Sequence, residues 1–226
     1  MKPRVAVLIS GRGSNMAALL AAARHPAYPA EIALVLSNRA DAGGLALAQA
    51  AGVPTAVVPS KGRGREAFEA EVQAALEAAG VRFVALAGFM RVLSEGFTRA
   101  WEGRMVNIHP SLLPSFPGLD THARALAAGV RLHGCTVHFV TPGVDEGPII
   151  AQAAVPVLEG DDEAMLAARV LAQEHRLYPA ALAWVAAGHT WLEDGRCVAA
   201  AAGAGEAALC NPLPEITGLP THANSD

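Results

Sequence analysis

Asn107 and His109 stand at the end of an apolar run, RMVNIHP, just before a proline-rich stretch. Successive side chains of a strand point to opposite faces, so these two project together while Val106 and Ile108 project the other way. The Asn107 amide donates hydrogen bonds, and the His109 imidazole gains and loses a proton near neutral pH. Because both would face one space, the pair indicates a site that stabilises charge developing on an oxygen.

Asp145 is the candidate third member of this site. It lies in the turn TPGVDEGP, which follows a further predicted strand. A carboxylate beside His109 would orient the ring and stabilise its protonated form. No Ser or Cys stands in a GxSxG-type turn, and Cys135 is expected to pack inside a strand. The pattern favours direct attack of one substrate on a carbonyl of another, and the alternative is that His109 is a satisfied structural histidine.

The glycine-rich stretch ISGRGSN follows the first predicted strand and opens the first predicted helix, where backbone N–H groups can hold a phosphate. It is not a full dinucleotide fingerprint, because Met16 occupies the third glycine position, and no GKS or GKT follows as in a Walker A loop. We expect a mononucleotide-sized phosphate site at Gly13, Ser14 and Asn15. Alternatively, Gly11 and Gly13 only permit a tight turn, with Ser14 or Asn15 capping the helix.

The elements that position these residues alternate along the chain. The runs RVAVLIS, EIALVLSN, TAVVP, RFVALAGF and RMVNIHP predict strands, and alanine-rich helical patterns separate them. After a predicted helix at THARALAAG, the strands GCTVHFVT and PIIAQAAVPV are joined by a connection too short for a crossover helix. These patterns predict an α/β fold, an open, mostly parallel twisted sheet with helices on both faces and some antiparallel strands toward the C-terminal half.

A long final helix is expected to begin at Asp161 or Asp162 and to be disturbed at Pro179 before continuing. The residues beyond it are rich in Ala and Gly, and then in Pro. We therefore expect a single domain over residues 1–198 and a loosely ordered tail over 199–226.

Composition excludes several classes of protein. A formal net charge of -4 and a pI near 6.1 provide no basic footprint for nucleic acid. Cys135, Cys197 and Cys210 are far apart, odd in number and without CxxC spacing, which favours a reducing compartment over a disulfide framework or a zinc site. No apolar run approaches about 18 residues, so no membrane span is expected. We predict a cytoplasmic protein.

Six segments, in chain order, resemble the motifs of the phosphoribosylglycinamide formyltransferase family of folate-dependent enzymes: RVAVLISGRGSN, LAGFMRVLS, NIHPSLLPSFPG, HGCTVHFV, VDEGPII and QEHRLYP. The resemblance extends from about Arg4 to Gly195. It implies a Rossmann-like fold and transfer of a formyl group from the co-substrate 10-formyltetrahydrofolate to the amine of glycinamide ribonucleotide in purine biosynthesis. It also implies direct amine attack without a covalent enzyme intermediate and no metal. Whether the protein is a monomer or a homodimer stays open.

The resemblance further implies roles for matching residues. Asn107 would hydrogen-bond the formyl oxygen, cationic His109 would stabilise the oxyanion, and Asp145 would support that charge and move protons through water. The phosphate of the nucleotide would sit on Gly13, Ser14 and Asn15, and Glu174 would contact the ribose. The folate would lie against Met90, Arg91, Val92, Leu93, Asn107, Thr141 and Asp145, with Arg65 near its glutamate tail.

Each of the weaker assignments has a structural alternative. Arg65 opens an amphipathic helix and could be a solvated charge, Met90 could belong to the core, and Glu174 could pair with a neighbour on its helix. Asp120 stands where some relatives carry a histidine and receives no role. The two remaining histidines near the motifs, His122 and His138, are expected to support the site or the fold.

Other functions remain as alternatives. A methionyl-tRNA formyltransferase would need an added C-terminal domain, for which the predicted tail is too short. A formyltetrahydrofolate hydrolase would bring an extra N-terminal domain, whereas the first strand here begins at Arg4. An NAD-dependent oxidoreductase is disfavoured by the incomplete glycine fingerprint. A non-catalytic nucleotide-binding module is disfavoured by the presence of Asn107, His109 and Asp145.

Overall fold

The computed structural model describes residues 1–199 of the 226-residue chain. The strands are β1 (Arg4–Ile9), β2 (Glu31–Ser37), β3 (Thr55–Val57), β4 (Phe83–Leu86), β5 (Met105–His109), β6 (Leu132–Phe139), β7 (Ile149–Pro156), β8 (Thr190–Glu193) and β9 (Arg196–Ala199). The helices are α1 (Ser14–Ala23), α2 (Gly44–Ala50), α3 (Arg65–Ala78), α4 (Glu95–Ala100), α5 (Thr121–Ala127) and α6 (Glu163–Ala186).

The main sheet has seven strands in the order β3-β2-β1-β4-β5-β6-β7. Strands β1 to β5 are mutually parallel, whereas β6 runs antiparallel to both β5 and β7. The short β6–β7 connection leaves no room for a crossover helix, which explains why β7 runs antiparallel to β6. The predicted fold class is confirmed. Because β1 pairs with both β2 and β4, the strand order reverses there, and open α/β sheets bind ligands at such a switch point.

The apolar residues of β1 serve both faces of the sheet. Val5, Val7 and Ile9 pack in a cluster that includes residues of α1 and α6, and Ala6 and Leu8 pack in a second cluster that includes residues of α3 and α4. A parallel strand covered on both faces reads as a continuous apolar run, as RVAVLIS does. The sheet is therefore a rigid platform whose strand ends must carry any polar chemistry.

The start of α6 agrees with the sequence, because Asp162 Oδ1 accepts a hydrogen bond from Met165 N at 2.8 Å and caps the helix. The helix runs through Pro179 without a break to Ala186. A proline removes one backbone donor, and burial of neighbours such as Tyr178 and Leu182 holds the helix together. In the described part of the chain, every helix is too short or too polar to cross a lipid bilayer.

The hairpin formed by β8 and β9 was not expected. Its turn is Asp194–Gly195, with φ of 48° and 72°. Asp-Gly is a strong sequence signal for a two-residue hairpin turn of this kind, so the signal was present and was overlooked. Ala199, the first residue of the predicted tail, ends β9, and residues 200–226 of that tail lie outside the described residues. The single domain over 1–198 stays a prediction.

Candidate active site

A cavity of about 770 Å³ opens where β1, β4 and β5 end. Its walls come from the turn between β1 and α1, the segment after β4, the end of β5, the β6–β7 loop and one side of α6. Asn107, His109 and Asp145 all line it, together with Ser14 and Asn15 from the glycine-rich turn. The structure therefore brings the two predicted polar clusters into one cavity.

His109 is buried and is held at both ring nitrogens. Its Nδ1 lies 3.2 Å from Asp145 Oδ2, and its Nε2 donates to the carbonyl oxygen of Phe116 at 3.0 Å. Both partners are acceptors, so the arrangement satisfies both N–H groups of the doubly protonated ring. The ring is thereby locked in a single orientation at the cavity wall.

Asp145 reaches His109 by an unusual backbone conformation. The antiparallel register pairs Phe139, at the end of β6, with Val106 rather than with His109, so the loop must fold back over the sheet. Within that return, Asp145 adopts a positive φ of 55°, which a non-glycine residue seldom adopts. Its Oδ2 also accepts a hydrogen bond from Gly118 N at 2.9 Å, which helps to hold the loop in place.

Asn107 is oriented by His138, its partner across the β5–β6 ladder. His138 Nδ1 lies 2.8 Å from the Phe139 carbonyl oxygen and donates to it, so the neutral ring presents Nε2 as an acceptor. Asn107 Nδ2 lies 3.2 Å from that Nε2 and donates to it. Burial lowers the pKa of His138, which keeps the ring neutral. Asn107 thus has a second amide hydrogen to offer to an acceptor in the cavity. The expectation that His138 supports the site agrees with these contacts.

The glycine-rich turn is a close turn that also places polar side chains in the cavity. Gly13 has a positive φ of 75°, and a Cβ added there would lie 2.9 Å from Gly44 Cα, so the residue is needed for a close turn. Helix α1 begins at Ser14 without a side-chain cap, so capping by Ser14 or Asn15 is wrong. Ser14 and Asn15 line the cavity, and Gly13 stands behind them as the N-cap.

Glu174 pairs across helices and not along its own. Asn15 Nδ2 donates to Glu174 Oε2 at 2.6 Å, which overturns the alternative of a neighbour on α6. Glu174 is 5% exposed; this burial raises the pKa of its carboxyl, and the hydrogen bond from Asn15 opposes the rise. Asn15 Oδ1 is buried without a hydrogen-bond partner among residues 1–199.

Most of the residues proposed for the folate line the cavity, but Arg65 does not. Met90, Arg91, Val92 and Leu93 line one wall of the cavity, and the residues from Thr141 to Asp145 line another. Met90 is 67% exposed, so the alternative that it belongs to the core is wrong. Arg65 opens α3, is exposed and does not line the cavity, because α3 follows the outermost strand. Its role near the glutamate tail stays a prediction.

Sequence reasoning missed a cavity-lining cation. Arg12 lies between the two glycines of the turn and lines the cavity beside Ser14. A cation inside a predicted phosphate loop was the available signal. Within residues 1–199, no group of three or more His, Cys, Asp or Glu side chains is arranged to hold a metal ion.

Comparison with known proteins decides the family. The family described as formyl transferase matches residues 3–182. The chain belongs to the formyl transferase family. It is 44% identical over 200 residues to phosphoribosylglycinamide formyltransferase of Escherichia coli (strain K12), covering 85% of this chain and 94% of that protein. The resemblance read from the motifs is thereby confirmed.

Two further formyl transferase relatives extend the comparison. The chain is 50% identical over 197 residues to the human trifunctional purine biosynthetic protein adenosine-3, covering 86% of this chain and 20% of that protein. The chain spans 14 to 20% of the length of such trifunctional relatives. The crystal structure of phosphoribosylglycinamide formyltransferase from Brucella melitensis is 58% identical with a TM-score of 0.80, covering 83% of this chain and 97% of that one.

The buried Glu174 carboxyl predicts a pH-dependent stability. Because its pKa is raised in the folded state, the folded protein holds this proton more tightly, and this group lowers stability as pH rises through the interval between the two pKa values. Glu174→Gln, which keeps an acceptor for Asn15, should therefore melt at a higher temperature than the unsubstituted protein near pH 8. The difference should vanish near pH 4, as measured by calorimetry.

The control is Glu102→Gln, because Glu102 is exposed. It should leave the melting temperature unchanged at both pH values. Equal melting temperatures for Glu174→Gln and the unsubstituted protein near pH 8 would contradict the assignment.

Proposed function

We propose that this protein transfers the formyl group of 10-formyltetrahydrofolate to the amine of glycinamide ribonucleotide. The observation that carries the proposal is the meeting of Asn107, His109 and Asp145 in a cavity that also contains the phosphate-loop side chains Ser14 and Asn15. The names of the similar enzymes, phosphoribosylglycinamide formyltransferases, support the same substrates. The folate is a co-substrate, and no resident metal or prosthetic group is part of the proposal.

The reaction proceeds by direct attack. The amine lone pair forms a bond to the formyl carbon, and the carbonyl electrons move onto the formyl oxygen. Asn107 Nδ2 and the His109 ring stabilise this oxyanion. The amine then loses a proton through water toward Asp145. The oxyanion electrons re-form the carbonyl, and the bond between the formyl carbon and the folate nitrogen breaks as that nitrogen gains a proton. No enzyme nucleophile takes part in these steps.

The proton on the amine contributes to the barrier. An α-amino group titrates near pH 7.7 to 8, so only about a tenth to a fifth of the substrate is free base at pH 7. Asp145 is 13% exposed at its side chain and contacts the His109 ring, which places a carboxylate where the released proton must travel. Positioned acid–base groups accelerate such steps by about 100- to 10,000-fold.

His109 must exchange a hydrogen bond during the reaction. Its Nε2 donates to the Phe116 carbonyl oxygen, while its Nδ1 faces Asp145. Donation from Nε2 to the formyl oxygen requires a small movement of the ring or of the loop that carries Phe116. A charged oxygen is a stronger acceptor than a neutral carbonyl, so the exchange becomes favourable only as charge develops. Such an interaction stabilises the transition state more than the bound substrate.

The distribution of charge in the cavity supports a phosphate position beside Arg12. The acidic side chains that line it are Asp120, Asp145, Glu163 and Glu174. A phosphate would be repelled by these groups unless a cation stood beside it. Arg12 stands on the same turn as Ser14 and Asn15, so we assign it to the phosphate, while Glu174 and Asn15 face the ribose. Arg91, on the wall formed by the segment after β4, is left to the folate.

The acceptor dependence of tetrahydrofolate release tests the proposal. Purified protein mixed with 10-formyltetrahydrofolate should release tetrahydrofolate only when glycinamide ribonucleotide is added. Release without the amine would indicate a hydrolase, and no release under either condition would indicate a non-catalytic binding module.

Removal of the oxyanion donors should abolish most of the activity. Asn107→Ala and His109→Ala should each lower turnover by at least about 100-fold, because each removes a group that acts on charge in the transition state. Steady-state kinetics with both substrates at saturation measures the loss. His25→Ala, which removes an exposed histidine after α1, should keep full turnover. Near-normal turnover of Asn107→Ala or His109→Ala would refute the assigned roles.

Arg12 should act on the nucleotide and not on the folate. Arg12→Gln should raise KM for glycinamide ribonucleotide by about tenfold, since a charge-assisted hydrogen bond to phosphate is lost. KM for 10-formyltetrahydrofolate should stay within about twofold. Arg24→Gln, at the other end of α1, is the matched control and should change neither value. An unchanged KM for the nucleotide in Arg12→Gln would remove Arg12 from the phosphate site.

A further inference from the structure

The segment from Gly88 to Leu93 forms one wall of the cavity without being helix or strand, and Ser94 follows it. Met90 and Val92 are 67% and 58% exposed, so these side chains are not held by packing. An irregular segment with exposed side chains loses considerable backbone entropy when it is ordered. Phe89 and Leu93 pack against the core, so the exposed stretch between them is left to be shaped by hydrogen bonds to its backbone.

A buried chain of polar side chains supplies such a bond. Met90 N donates to Ser10 Oγ at 2.8 Å, and Ser10 Oγ donates in turn to Asn38 Oδ1 at 2.6 Å. Asn38 Nδ2 then donates to Ser60 Oγ at 3.0 Å. The three side chains are 6%, 6% and 8% exposed. Each of the three hydrogen bonds pairs one donor with one acceptor. The orientation of the Ser10 hydroxyl toward Asn38 therefore leaves its oxygen free to accept from Met90 N.

This hydrogen-bond chain runs across three neighbouring strands of the sheet. Ser10, Asn38 and Ser60 lie just beyond the carboxyl ends of β1, β2 and β3, respectively, and Ser10 N also donates to Gly88 O at 3.1 Å. None of the three lines the cavity. Burial of a polar side chain lowers the stability of the fold unless the side chain is hydrogen-bonded. Three such side chains behind an irregular segment therefore indicate a role besides packing.

The far end of the segment is held separately. Glu69, buried on α3, accepts hydrogen bonds from both the backbone N–H and the hydroxyl of Ser94, the N-cap of α4. The residues from Gly88 to Ser94 are thus anchored at Met90 by Ser10 and at Ser94 by Glu69. The stretch from Arg91 to Leu93 lies between these anchors and lines the cavity.

We propose that Ser10, Asn38 and Ser60 are positioning residues for the formyl-folate, acting through the backbone at Met90. The inference rests on the proposed function, in which the folate lies along Met90 to Leu93. The hydrogen-bond chain of Ser10, Asn38 and Ser60 keeps this wall of the cavity in its binding conformation before the ligand arrives. A protein that spends less time in the binding-competent conformation binds its ligand more weakly by that same fraction.

The effect should be confined to the folate. The nucleotide side of the cavity is built from Ser14 and Asn15, which are held by the turn at Gly13 and by the hydrogen bond to Glu174. No bond in the Ser10–Asn38–Ser60 chain reaches those residues. Loss of the chain therefore separates the KM values of the two substrates, whereas a general loss of structure would change both.

Ser10→Ala is the main test. It should raise KM for 10-formyltetrahydrofolate by about tenfold while KM for glycinamide ribonucleotide stays within about twofold. Independently of activity, the Met90 amide should lose protection against hydrogen exchange, measured by NMR on the full chain. Ser37→Ala is the matched control: it removes a buried hydroxyl beside Asn38 that accepts from Arg39 N, and it should change neither readout.

Ser60→Ala removes only the last link and provides a second, milder variant if Ser10→Ala fails to fold. It should shift both readouts in the same direction by a smaller factor. The inference is overturned if Met90 stays protected, if both KM values rise together, or if neither changes in a folded variant. A wild-type protein that transfers no formyl group would refute the proposed function instead, while the exchange of Met90 would still test the chain of hydrogen bonds.

Discussion

The contact between the His109 imidazole and the Asp145 carboxylate ties together the two halves of the sheet. His109 ends the last strand of the parallel part, and Asp145 comes from the loop between the antiparallel strands β6 and β7. The loop must fold back over the sheet for the two to meet, at 3.2 Å, and Asp145 adopts a left-handed backbone conformation there. Such strained conformations persist only where the surroundings hold them, as the hydrogen bond from Gly118 does here.

The other polar groups of the cavity are oriented by hydrogen bonds from neighbouring elements. His138 orients Asn107 on the adjacent strand, and Glu174 orients Asn15 across the α1–α6 interface. Burial keeps His138 uncharged and raises the pKa of Glu174, so the local environment favours few charges in the interior. An oxyanion formed beside Asn107 and His109 is therefore poorly screened by water and strongly stabilised by fixed donors.

Much of this arrangement could be predicted from the sequence because it follows from strict periodicities. Alternation along RMVNIHP placed Asn107 and His109 on one face, and the short β6–β7 connection required antiparallel strands. The contacts between side chains of distant elements could not be predicted from periodicity. Periodicity does not reveal that Glu174 meets Asn15, that His138 donates from Nδ1, or that Arg65 stands away from the cavity, since each depends on how distant elements pack. The overlooked β8–β9 hairpin was a misread turn signal.

The account requires that His109 and Asp145 act as one unit on the developing charge, and a double-mutant cycle measures this directly. Turnover would be compared for His109→Ala, Asp145→Ala and the double variant, with both substrates at saturation. Residues that act as a unit are far from additive, so the double variant should be about as slow as the slower single variant. Losses that multiply in the double variant would show that the two residues act independently, and would contradict the central claim.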